Sequence, residues 1–301
     1  LDDESCWPKA NPSLHVVLQP DYIRTQVADA KAIPGNLNET LRLNFCVWTD
    51  AVTAWMARPT IEAVLADFDP YTLHKGKTVY FGLDLSATRD LTVKAGVVET
   101  GTDAVGRPTY DAWIEAWTPA DTLRERALQD KAPYDVWVRE GHLFATPGKT
   151  IGFEFVAAQF EQDAINFEIG ALAYDRYGFK AHFEPHLDAL GLDFEIVEHP
   201  QGGKKKGAAS GLWMPGSKLI LETLILEKRI RIRRNPVLIS ACMSAAVEGD
   251  PYGNFWFSKR KASNRIDALV ALATGVGCAT MPRETEGYDL DLYLANPVVV
   301  R

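Results

Sequence analysis

Apolar and polar positions are not spread evenly along this chain. Residues 78–85, 91–99 and 109–117 are dominated by apolar and β-branched or aromatic residues and read as three strands. A turn-rich stretch with Gly101, Gly106 and Pro108 joins the second to the third, as in a hairpin. After Pro119 the period lengthens: Ala120–Lys131 and Phe153–Phe167 read as helices, and Gly178–Leu190 also fits one. Ile169–Tyr174 and Phe194–Val197 are short apolar runs of strand type. Arg265–Gly275 places Ile266, Leu269, Val270 and Ala273 on one helical face. Hairpin strands followed by strands that alternate with helices predict an α/β fold with a mixed sheet.

Residues 1–76 have another texture. They are rich in Pro, Trp and Asn and hold short helical patterns at Asp21–Ala32 and Thr60–Asp67; residues 73–77 read as a linker. No run of 18 apolar residues occurs, so no membrane-spanning helix is expected. The acidic start, Leu1-Asp2-Asp3-Glu4, is unlike a signal peptide, and the missing initiator Met suggests a fragment or processed product. The four cysteines are scattered, without CxxC spacing, which argues against a zinc site or disulfide scaffold and fits a reducing cytosol.

The net charge of −8 conceals an asymmetry. Residues 202–234 carry nine Lys or Arg against two Glu. Lys204, Lys205 and Lys206 lie in a Gly-rich loop. In "KRIRIRR", Ile230 and Ile232 alternate with Arg229, Arg231 and Arg233, which describes a half-buried strand with a cationic outer face. These six residues are candidates for contacts with a DNA backbone; the plainer readings are a solvated loop and an edge strand protected by charge.

Two apolar strands end in an acid, "YFGLD" at Asp84 and "ALAYD" at Asp175. Carboxyl ends of neighbouring strands are the usual place for chemistry in an α/β sheet. Asp267 follows a polar Ser-Asn pair that reads as a helix cap, and sits in the first turn of an otherwise apolar helix. Three converging carboxylates would repel one another, and hard divalent cations such as Mg²⁺ are the natural counter-charge. Taken singly, an acid at a strand end is more often a turn former or cap, and one in a first helical turn is usually a dipole partner.

"YFGLDLSATRDLT", "EGHLFATPGKTI", "ALAYDRYG" and "NPVLISACMSAAVEGDPYGNFWFSKRKASNRIDALVALATG", in this order and spacing, resemble the nuclease domain of the large terminase subunit of tailed double-stranded DNA phages. Upstream, "CWPKANPSL" and "LRLNFCVW" are similar to the end of that family's ATPase domain and its linker. The resemblance implies a ribonuclease H-like fold. It divides the chain into the end of an ATPase domain with linker (1–76), a nuclease domain (77–285) and a tail (286–301). It further implies a metal-dependent endonuclease that cuts concatemeric viral DNA during packaging. Asp84, Asp175 and Asp267 would be catalytic ligands of two divalent ions, Mg or Mn. Double-stranded DNA, a portal protein and a small terminase subunit would be partners in an oligomeric motor at the procapsid, in the host cytoplasm, away from membranes. Walker motifs of a packaging ATPase are not visible.

Three features point elsewhere. "ATPGKT" (145–150) mimics the end of a phosphate loop, but Leu143 stands where its first Gly is required. "GLDLSATRDLT" is also similar to the first phosphate loop of actin-like ATPases, which need a second such loop. His182 and His186 have ligand spacing, with Pro185 between them suggesting a helix start. An ATP-driven motor or actin-like ATPase, and a non-catalytic DNA- or portal-binding module, are therefore the alternatives.

Overall fold

The computed structural model describes residues 1–32, 36–47, 55–86, 90–176, 178–202 and 211–282. Its centre is a mixed sheet of eight strands: β1 (Leu65–Ala66), β2 (Thr78–Asp84), β3 (Thr92–Thr102), β4 (Pro108–Pro119), β5 (Phe144–Thr146), β6 (Glu168–Tyr174), β7 (Ile196–Glu198) and β8 (Ile230–Arg233). The order is β1-β8-β4-β3-β2-β6-β7, with β5 beside the far end of β4. β2, β3 and β4 form the expected antiparallel meander, and β6 and β8 run parallel to β2 and β4 respectively. β3 and β4 lie centrally and are buried on both faces over most of their length, which explains their unbroken apolar runs.

Helix α1 (Phe153–Asn166) covers one face, where Val156, Ala157 and Phe160 meet Val79, Phe81, Leu83 and Tyr174. The other face carries α2 (Met214–Leu226), α3 (Pro236–Ser244) and α4 (Asp267–Ala279). α4 is buried all round, as its sequence "DALVALATGVGCA" requires. Alternation along β2 sends Phe81 and Leu83 to the α1 face and leaves Gly82 and Asp84 facing α4. A Cβ on Gly82 would fall 2.7 Å from the Cα of Gly275 and closer still to the Gly275 nitrogen and the Ala271 oxygen. Glycine at 82 is thus what lets α4 lie directly on β2.

Upstream, the structure differs from the pattern reading. The helix expected over 60–67 stops at Glu62, and Leu65–Ala66 pairs in parallel with Ile232 and Arg233. Trp55, Met56, Ile61 and Val64 join the main core, and Trp55 Nε1 donates to Glu222 (2.5 Å). The expected linker is held too: His74 is buried, bonded to Asp111 (2.9 Å) and stacked on Trp113. The core therefore reaches upstream of residue 77, where the sequence reading starts the nuclease domain. Trp7, Leu14, Ile23 and Val27 form a small cluster of their own around the helix Pro20–Ala32. The tail placed at 286–301 lies outside the described residues.

α2, α3 and a small hairpin, β9 (Val247–Gly249) with β10 (Phe255–Phe257), were not legible as separate elements. The helix read over 120–131 is shorter, Leu123–Gln129. Among the described residues no helix is long and apolar enough to cross a membrane.

Candidate metal centre

β2 and β6 are adjacent and parallel, with Gly82 opposite Ala173 and Leu83 opposite Tyr174. The next position on each chain is an acid, Asp84 and Asp175, so the register sets both carboxylates at the same level of neighbouring strand ends. Asp267 enters from above as the first residue of α4. The close passage of α4 over Gly82 brings its N-terminus onto the end of β2. A buried carboxylate there gains from the helix dipole and from a hydrogen bond given by Leu91 N (3.2 Å). Ser86, just after β2, and Thr92, at the start of β3, exchange hydrogen bonds of 2.9 and 2.8 Å. Arg265 secures the same region by binding Asp90 and Asp130. Asn264 does not cap α4; its side chain serves the Asp130 carbonyl and the Arg265 amide.

A cation that sequence reasoning missed sits between two of the acids. Lys259 Nζ is 2.8 Å from Asp84 Oδ2 and 2.7 Å from Asp267 Oδ1. Asp84 and Asp267 are 4% and 1% exposed. The Lys259 side chain is 38% exposed and arrives from the loop that follows β10. The other Asp84 oxygen accepts from Gln201 Nε2 (3.0 Å). Burial works against the Lys259 ammonium, yet Asp84 and Asp267 outweigh it and hold its pKa above the ordinary lysine value. Burial raises the pKa of Asp267, with Lys259 opposing and Asp84 reinforcing the rise. Asp175 is likewise raised by burial; the Arg176 amide and Lys259 work against this, and Glu198 adds to it.

The structure thus joins Asp84 and Asp267 through Lys259 and sets Asp175 beside them. Among the described residues no three His, Cys, Asp or Glu side chains form a ready-made ligand cluster. A cleft of about 420 Å³ opens alongside, lined in part by Asp90, Lys131, Lys259, Asn264, Arg265 and Asp267.

The basic residues are placed differently. Lys204, Lys205 and Lys206 lie outside the described residues. Ile230 and Ile232 are buried and Arg231 is exposed, as alternation predicts. β8, however, is three strands from β2, and Arg231 is five residue positions short of the level of Asp84. At standard strand dimensions that is roughly 14 Å across and 17 Å along the sheet. Arg231 forms a paired bond to Asp111 (2.9 and 2.5 Å), and Arg229 is taken up by Glu227 (2.7 Å) and the Pro108 carbonyl (2.8 Å). Arg233 is half-buried at the end of β8.

In "ATPGKT", residues Phe144–Thr146 form β5, and the next helix begins only at Phe153, so Lys149 and Thr150 do not open a helix as a phosphate loop requires. His182 is exposed, and Pro185 stands in the first turn of the helix Glu184–Ala189.

Residues 1–283 match the family described as "Terminase large subunit, endonuclease domain". The chain is 34% identical over 300 residues to the large subunit of the terminase of Enterobacteria phage HK97, covering 99% of itself and 56% of that protein. It superposes on the crystal structure of the HK97 large terminase with a TM-score of 0.63 at 32% identity, over 91% of this chain and 53% of that one. A fainter likeness links it to the large terminase nuclease of thermophilic phage G20c, solved with bound magnesium (TM-score 0.39, 11% identity, 66% of this chain and 80% of that one). The chain spans about half the length of the HK97 protein.

Proposed function

Because this chain belongs to the terminase large subunit endonuclease family, we propose that it is a metal-dependent DNA endonuclease cutting concatemeric viral DNA during packaging, with Asp84, Asp175 and Asp267 as its catalytic metal ligands. The observation that carries this reading is the convergence of two nearly inaccessible carboxylates, Asp84 and Asp267, on one cationic point, with Asp175 in register next to Asp84. Their donor set, carboxylate oxygens alone, fits a hard divalent ion such as Mg²⁺ or Mn²⁺. Asp84, linked to Asp267 through Lys259 and in register with Asp175, is the residue proposed to be shared if two ions bind. Bound ions at such a site would supply water activation and charge stabilisation at a scissile phosphodiester.

The residues of this chain supply the rest. Leu91 N and Gln201 fix the orientation of the Asp267 and Asp84 carboxylates. Arg265 holds the Asp90 turn and Asp130 at the cleft rim. Lys204, Lys205 and Lys206 are proposed to attract the DNA backbone. Arg229 and Arg231 spend much of their charge on Glu227 and Asp111. In a complete packaging machine the proposed partners are double-stranded DNA, the portal and the small terminase subunit, in the host cytoplasm.

The test is incubation with supercoiled plasmid, with and without Mn²⁺ or Mg²⁺ and separately with ATP. Nicking that requires the metal and ignores ATP is the expected result. ATP turnover without nicking, or DNA binding without either, would refute it.

A further inference from the structure

Lys259 neutralises acids, but its position is more specific than that task requires. Its ammonium lies 2.8 Å from Asp84 and 2.7 Å from Asp267, where a cation shared by both carboxylates would bind. The two acids are buried, whereas the lysine side chain is more than a third exposed and hangs from a loop beyond the short hairpin β9–β10. The acids are held on β2 and α4, whereas the lysine stem reaches solvent from a loop, which gives it room to move. The space beside it is the cleft of about 420 Å³, in which Lys259 is itself a lining residue. That cleft also carries Asp90 and Asp130, although both are engaged by Arg265.

We infer that Lys259 is a resident counter-ion which a divalent metal must displace from Asp84 and Asp267, so that metal loading and release of this lysine into the cleft are one event. The inference rests on the metal-centre reading above. Its physical basis is exclusion: an ammonium and a divalent ion cannot share one bridging point between two carboxylates. In the absence of metal the lysine prevents two buried like charges from facing each other uncompensated. Once metal binds, the freed ammonium stands at the cleft beside the site.

Two measurements test this on the intact chain. Mn²⁺ binding is followed by calorimetry in the parent and in Lys259→Met and Lys259→Gln, with folding checked by circular dichroism. If the lysine-bound state dominates by an order of magnitude, removing it should tighten Mn²⁺ by about tenfold. In parallel, lysines of the parent are labelled with an amine-reactive reagent and read by mass spectrometry, with and without saturating Mn²⁺. Labelling of Lys259 should rise several-fold with metal, and that of the exposed Lys131 should not. The labelling arm needs no variant and also separates displacement from a mere change of charge. Mn²⁺ binding to the parent with unchanged or reduced Lys259 labelling would overturn the inference while leaving the metal centre standing. Absence of Mn²⁺ binding in parent and variants alike would overturn the metal centre and the inference with it.

Discussion

Gly82 of β2 and Gly275 of α4 lie backbone against backbone, close enough that a Cβ on Gly82 would sit 2.7 Å from the Gly275 Cα. The obstacle is main chain, which cannot rotate away. Gly82→Ala should therefore cost about 3 kcal/mol or more, at the upper end of overpacking effects. It should also weaken Mn²⁺ binding, because α4 carries Asp267 and would be pushed off β2. Thermal melting and calorimetry of the same variant check both.

Single replacement of Asp84, Asp175 or Asp267 by Ala should abolish plasmid nicking. Loss of residues that merely orient metal ligands already costs about 10–100-fold, so loss of a ligand should exceed that. The folded state should persist, and circular dichroism distinguishes an inactive protein from an unfolded one. An Asp84→Ala protein that nicks at the parental rate would remove Asp84 from the site.

Lys94 presents a separate case, far from solvent. It is fully buried between Asp163 and Glu115 (2.5 Å), and Tyr71 bonds both acids (2.9 and 2.7 Å). Lys94→Met would leave two buried carboxylates without a counter-charge and should destabilise by about 3–5 kcal/mol, as broken buried pairs do. Urea denaturation measures this, and Mn²⁺ affinity should be unaffected because this network lies on the α1 face.

His199 is completely buried, bonded to Ser217 (2.7 Å), and burial lowers its pKa to about 4. Well above pH 6.5 the ring is neutral folded or unfolded and contributes nothing to pH dependence. Below that, the unfolded chain takes up a proton that the folded chain refuses, so stability falls until about pH 4. The loss approaches about 3 kcal/mol for a shift of this size. His199→Gln should remove this component, seen as a shallower fall in melting temperature between pH 6.5 and 4 than in the parent.

For DNA, changing Lys204, Lys205 and Lys206 to Ala should lower affinity for all sequences alike. It should also flatten the salt dependence by about 0.9 in log–log slope for each phosphate that is no longer neutralised. Arg231→Ala should instead destabilise the fold by removing the cationic partner of buried Asp111 and leaving it only His74, with little change in that slope. A salt titration in Ca²⁺ compares the two. An unchanged slope in the lysine variant would place the DNA path elsewhere.

The three acids were legible because each marks an element boundary, at a strand end or helix start, that local pattern reveals. The alternation of Ile230 and Ile232 with arginines was legible for the same reason. What local pattern does not contain is which strand lies beside which. The pattern shows that Arg229, Arg231 and Arg233 share a strand, but not that this strand, β8, lies three positions from β2. Lys259 was missed for a related reason: in "FSKRKASN" it is one of three adjacent cations, and only the fold turns that one inward between Asp84 and Asp267. β1 is two residues long, too short to show a period, and exists because β8 offers it an edge.

That last pairing bears on the order in which the molecule can be completed during synthesis. β1 leaves the ribosome before β8, which follows only after β2 to β7, α1 and α2 have been made. Until then Leu65–Ala66 has no partner, and Tyr110–Ala112 of β4 present open backbone groups. The sheet therefore closes late at this edge, through pairings between residues far apart in the chain, which are the slow kind to form. A nascent or truncated chain ending before residue 230 would carry that open edge as a template for pairing with its neighbours, a hazard that β8 removes at β4 once it is in place.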